Sequence, residues 1–114
     1  VVPERARMSP SAVLGEGTVV MAGAVIQAGA AVGRHAVINT GAVVEHDVIL
    51  GDFVHVAPAA ALAGGVQVGG GAYLGLGCRV RNEVKVGARA VVAMGAVVIR
   101  DVESGSWVRG VPAR

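Results

Sequence analysis

A chain of 114 residues that is 54% apolar but has only three aromatics, Phe53, Tyr73 and Trp107, has room for one domain and must fill its interior with small aliphatic groups. Most of the apolar residues are Ala and Val, interrupted every few positions by Gly or a polar group, so no run of about 18 strongly apolar residues makes a membrane-crossing helix. The net charge of +2 divides into three Arg against five acids over residues 1–78 and seven Lys or Arg against three acids over 79–114. A basic C-terminal third suits a phosphorylated ligand, and with no aromatic platform beside the bases nucleic acid is not expected as a partner.

Residues Val1 to Pro10 lack the charged-then-apolar pattern of a signal peptide. The first residue is not Met and the repeat described below extends back to Val2, which leads to the expectation of further sequence upstream.

From Leu14 onward an aliphatic residue stands at every sixth position without a slip: Leu14, Val20, Ile26, Val32, Ile38, Val44, Leu50, Val56, Leu62, Val68, Leu74, Val80, Val86, Val92 and Val98. Four places after each comes a smaller residue, from Thr18, Ala24 and Ala30 through Cys78 to Ala96 and Val102. A period of six fits neither a helix nor a single strand, but it fits short strands separated by corners, with both kinds of residue pointing inward. Gly15, Gly33, Gly51, Gly69 and Gly87 recur at intervals of 18, so one coil is three hexapeptides with three sides. Five such coils stacked at one strand spacing give a prism roughly 24 Å tall.

This pattern resembles the hexapeptide-repeat family, whose fold is the left-handed parallel β-helix. The resemblance implies an all-β domain over residues 1–103, followed by a C-terminal tail over 104–114 in which Trp107 is a candidate lid. Cys78 falls at an inward position and cannot form an internal disulfide, which favours a buried structural thiol and a cytoplasmic location.

The three histidines are the chemically distinctive groups. His35 falls at a corner beneath Phe53, which reads as surface stacking. His46 falls at another corner, between Glu45 and Asp47. Imidazole titrates near neutrality, so it can take a proton from an attacking amine or hydroxyl, and a neighbouring carboxylate can orient it. His55 lies on the outward face of a side, with Asn39 beside it one coil below. His46 and His55 lie about a prism side apart, beyond hydrogen-bond reach within one chain. A site containing both then requires packing about a three-fold axis.

The segment Asn-Thr-Gly-Ala-Val-Val-Glu-His-Asp from Asn39, then Gly-Asp-Phe-Val-His and the terminal Gly-Val-Pro-Ala-Arg, is similar to the sugar acetyltransferases of the bacillosamine, perosamine and sialic acid pathways. That resemblance implies acetyl-CoA as co-substrate and a sugar amine or hydroxyl as acceptor. It implies His46 as general base, Asp47 as the acid that raises its basicity, and Asn39 at the substrate. It also implies His55, Leu76 and Met94 at the coenzyme, and a homotrimer with the site between subunits. Leu76 and Met94 are 18 apart and therefore stack at one corner. The coenzyme phosphates have two sets of candidate partners: Arg79, Arg81, Lys85 and Arg89, or the tail with Arg109 and Arg114.

The resemblance further implies an N-terminal α/β domain, of which this sequence contains no part. The γ-type carbonic anhydrases, a related branch, bind metal through three histidines, two of them five residues apart. Here the spacings are 11 and 9, and no metal is expected. The alternatives are a non-catalytic or engineered β-helical solenoid, and an acetyltransferase for another small acceptor such as an amino acid.

Overall fold

The computed structural model describes all residues from Val1 to Arg114 and contains strands and turns but no helix. Seventeen two-residue strands pair in parallel to form three sheets. The first sheet has six strands, from Arg7–Met8 through Val43–Val44 and Ala61–Leu62 to Val97–Val98. The second has five, from Val13–Leu14 to Lys85–Val86, and the third has six, from Val19–Val20 through His55–Val56 to Trp107–Val108. This is the expected left-handed parallel β-helix of hexapeptide repeats, 36 × 20 × 19 Å. No helix is long and apolar enough to cross a membrane.

Register follows directly from the repeat. Val25 faces Val43, His55 faces Tyr73 and Gln67 faces Lys85, each 18 residues on. The ladder is carried by bonds such as Val25 N to Ala42 O, Val43 N to Ala60 O and Ala61 N to Cys78 O, all 2.9 Å. A strand only two residues long could not hold together alone, but stacked coils satisfy one another's backbone groups.

All fifteen small inward residues are buried, and of the fifteen aliphatic positions only Leu14, in the outermost turns, is partly exposed. Alternating large and small side chains fill an interior one side chain deep, which explains why Ala and Val dominate the composition. The buried polar residue, Thr18, has its hydroxyl satisfied: Oγ1 donates to Gly33 O at 2.7 Å and accepts from Ala36 N at 3.1 Å. Leu62 is completely enclosed. Leu62→Ala is expected to cost about 2–5 kcal/mol, read as a lowered midpoint in denaturant unfolding with little change in slope.

Cys78 is likewise enclosed, and burial pushes its thiol up from 9.0 to about 11, opposed in part by the charge of Arg79. A thiol held protonated in the fold stabilises it relative to an unfolded chain that ionises earlier. That contribution is complete below pH 9 and lost as the pH rises to about 11. Stability should therefore fall across that window by up to about 2–3 kcal/mol, and Cys78→Ala should remove this component from pH-dependent unfolding curves.

At the corners from Gly17 to Gly95, the second residue of each turn sits in the left-handed region. Most are glycine, but His35, Asp47, Phe53, Ala59, Glu83 and Arg89 adopt φ between 52° and 62°. Asp tolerates this conformation better than most residues, whereas Phe53 at 61° is unusual for a bulky side chain. Phe53 stacks on His35, with centroids 5.3 Å apart and planes at 25°, as the column of equivalent positions implied.

The 18-residue register ends near the C-terminus. Val102 was expected to be the small inward partner of the last repeat, two places out from where it lies. It bridges Val86, and the next pair joins Val91 to Trp107, both offsets being 16. The shortening has a visible cause: Asp101 Oδ1 accepts from Lys85 N at 2.9 Å, taking the ladder bond that a backbone carbonyl would otherwise provide. Trp107 is not the lid expected of it. It faces outward from its strand and is 79% exposed, while the opposite alternation turns Val108 toward the core. The closing contact is made by Ala113, buried and bonded through its N–H to Val97 O at 2.8 Å.

Candidate active site

His46 and Asp47 form the corner between the first sheet, after Val43–Val44, and the second, before Ile49–Leu50. A turn is required here by the hexapeptide period, and it places two adjacent side chains on an outer edge of the prism. His46 Nδ1 lies 3.2 Å from Asp47 Oδ2, both side chains being largely exposed. With the carboxylate accepting from Nδ1–H, the neutral ring carries its lone pair on Nε2. That nitrogen lies over Gly64, the equivalent corner one coil on. The Asp47 carboxylate leans the other way, over Gly29. Glu45, the other acid considered as a partner for His46, makes no hydrogen bond to the ring.

An open depression of about 410 Å³ surrounds the pair, lined by His46, Asp47, Gly64, Gly65, Gln67, Glu83 and Lys85. Every side chain in it is polar or absent. Gln67 and Glu83 are not singled out by the sequence, and Lys85, a candidate partner for the coenzyme phosphates, lies here beside His46. The signal that finds them is the 18-residue register, since Glu83 lies two coils from Asp47 in one corner column and Gln67 and Lys85 face each other on the adjoining side.

Asn39 and His55 come together on the third sheet. Asn39 Nδ2 is 3.4 Å from His55 Nε2, and the half-buried His55 ring meets Tyr73 edge-on at 5.1 Å and 71°. Leu76 and Met94 stack at the corner where the third sheet turns into the first, 48% and 72% exposed. A second depression is lined by Trp107, Val108, Arg109, Arg114 and Ala93, the residue before Met94. The candidate residues thus fall into two groups. His46 and Asp47 occupy the edge between the first and second sheets, and Asn39 and His55 lie on the third sheet, with the packed core between them. No cluster of three or more metal-ligating side chains occurs anywhere in the chain.

Residues 11–46 match the family model described as bacterial transferase hexapeptide (six repeats). A search of curated protein sequences returns no significant match. Among solved structures, the acetyltransferase domain of PglB from Neisseria gonorrhoeae is similar at 39% identity and a TM-score of 0.99, over 100% of this chain and 56% of that one. The same domain in complex with acetyl coenzyme A is similar at 40% identity and a TM-score of 0.98, over 99% and 55% of the two chains. A variant of perosamine N-acetyltransferase from Caulobacter crescentus, in complex with CoA and GDP-perosamine, is similar at 50% identity and a TM-score of 0.98, over 99% and 54%. The chain spans little more than half the length of each of these relatives. In repeat, register and fold, this chain is a hexapeptide-repeat β-helix resembling, from end to end, part of these acetyltransferases.

Proposed function

We propose that this chain performs acetyl transfer from acetyl-CoA to an amine or hydroxyl of a sugar, including a nucleotide-linked one, with His46 as general base. The observation that carries the reading is the His46–Asp47 pair, in which Nδ1 faces the carboxylate and the ring borders a depression lined by polar groups suited to a hydroxylated ring. The similarity to structures holding acetyl coenzyme A, or CoA with GDP-perosamine, supports the same chemistry.

The mechanism is direct transfer. The acceptor nitrogen or oxygen attacks the thioester carbonyl carbon as Nε2 takes its proton, and Asp47 stabilises the imidazolium that results. A backbone N–H stabilises the oxyanion. The carbon–sulfur bond then breaks, and the coenzyme thiolate takes the proton back from His46. Holding both substrates in one complex supplies much of the rate.

For the coenzyme we assign His55, Leu76 and Met94, with Asn39 beside His55 at the substrate, the exposed corner between Leu76 and Met94 being a track for the pantetheine arm. Of the two basic groups, Arg109 and Arg114 are the better partners for its phosphates, because their depression is lined by Ala93, next to Met94 in the chain. His46 lies across the prism from His55, so the reading requires a homotrimer in which the corner of one chain faces the coenzyme side of the next. The outward faces of Val43, Ala61 and Val97 on the first sheet provide apolar surface for such packing. The lone buried thiol fits a reducing compartment, the cytoplasm.

Calorimetric titration of acetyl-CoA, with mass measured alongside, should give saturable binding at one site per chain in a trimer. A folded trimer that binds no acetyl-CoA would favour a solenoid without chemistry. With a nucleotide-linked amino sugar as acceptor, His46→Ala should lower kcat by about 10²- to 10⁴-fold while the trimer persists. Turnover near that of the unmutated chain would remove His46 from its role.

A further inference from the structure

Gly64 lies where the corner column above His46 continues, and it differs from the other glycines of the chain. Gly41, Gly77 and Gly95 occupy the left-handed region, with nothing within 4 Å of the position a Cβ would take, so the backbone alone calls for them. Gly15, Gly33, Gly51, Gly69, Gly75 and Gly87 would drive a Cβ into the backbone of the next coil. Gly64 meets neither condition. Its φ lies outside the left-handed region, unlike that of its neighbour Gly65 at +74°. The three atoms nearest to a Cβ on Gly64 all belong to the His46 ring, Cε1 at 2.5 Å, Cδ2 at 3.1 Å and Nε2 in collision. Packed atoms stand roughly 3.5–4.0 Å apart, so ring and methyl cannot share the space.

From this geometry we infer that Gly64 is a positioning residue for His46: its missing side chain is the seat on which the imidazole lies. The ring is exposed, and the atoms nearest the seat are its far end, so a methyl at 64 displaces the ring without disturbing the core. Asp47 shares this dependence, because its hydrogen bond to Nδ1 holds only while the ring keeps its present tilt. A displaced ring moves Nε2 away from the acceptor. The inference rests on the proposed role of His46 only for its effect on rate, since the seat itself is a matter of contact.

The test is Gly64→Ala, made in the unmutated chain and in His46→Ala, with three readouts: thermal midpoint, imidazole ring resonances, and kcat for acetyl transfer to a nucleotide-linked amino sugar. The expected result is a midpoint within about 2 °C of the parent. The His46 ring signals should move while those of His35 and His55 stay in place. The rate should fall by about 10- to 100-fold in the unmutated background, with no further loss in His46→Ala. Unchanged His46 signals would overturn the inference, as would equal rate losses in both backgrounds. A Gly64→Ala chain that fails to fold would overturn it too, since the backbone and not the ring would then explain the glycine. If His46→Ala alone keeps full turnover, the general-base assignment fails, while shifted ring signals in Gly64→Ala still establish the seat.

Discussion

Backbone ladders with an 18-residue register govern everything else in this molecule. Each strand has only two residues, so its N–H and C=O groups have no partners except those of the coils above and below. One inserted residue would turn inward side chains outward and break three sheets at once. Under that constraint the sequence shows no slip from Leu14 to Val98, and every position acquires fixed neighbours 18 residues away. Function in such a scaffold is written in columns: a corner residue meets the corner residues of adjacent coils, whatever separates them along the chain.

The core was legible in the sequence because burial here depends on period alone. Inward positions repeat every six residues, and their burial followed with Leu14 as the partial exception. The stacking of His35 on Phe53 and the Leu76–Met94 corner follow from the 18-residue step, and the approach of Asn39 to His55 follows from it diagonally, since His55 pairs with Val37 and Asn39 lies two residues further along the same face. The sequence was less informative where a side chain takes over a backbone role. Asp101 intercepts the ladder bond of Lys85, which moves Val102 and Trp107 out of the register that counting by six assigns to them. No periodicity reveals a carboxylate standing in for a carbonyl.

The His46 corner was visible as a pair of residue types, but its surroundings were not. That the ring leans over Gly64 and the carboxylate over Gly29 depends on rotamers, and a glycine in a chain with 18 of them does not stand out by composition. The structure separates glycines needed by the backbone from one needed by a neighbour. It also separates the two groups of candidate residues by the thickness of the core, which is why chemistry that uses both calls for more than one copy of the chain.

The contracted final coil bears on how the molecule ends. A stack of parallel coils offers, at its last turn, three open edges of unpaired backbone groups on which another chain could build. Because Asp101 fills one ladder site with a side chain and the offset drops to 16, the last coil no longer matches the geometry of the coils beneath it. The tail then folds over the first sheet, where Gly110 and Ala113 occupy the groups of Val97. An incoming coil would find the Val97 groups of the first sheet already taken and the spacing mismatched, so the device that ends the repeat also works against copies joining head to tail at this end.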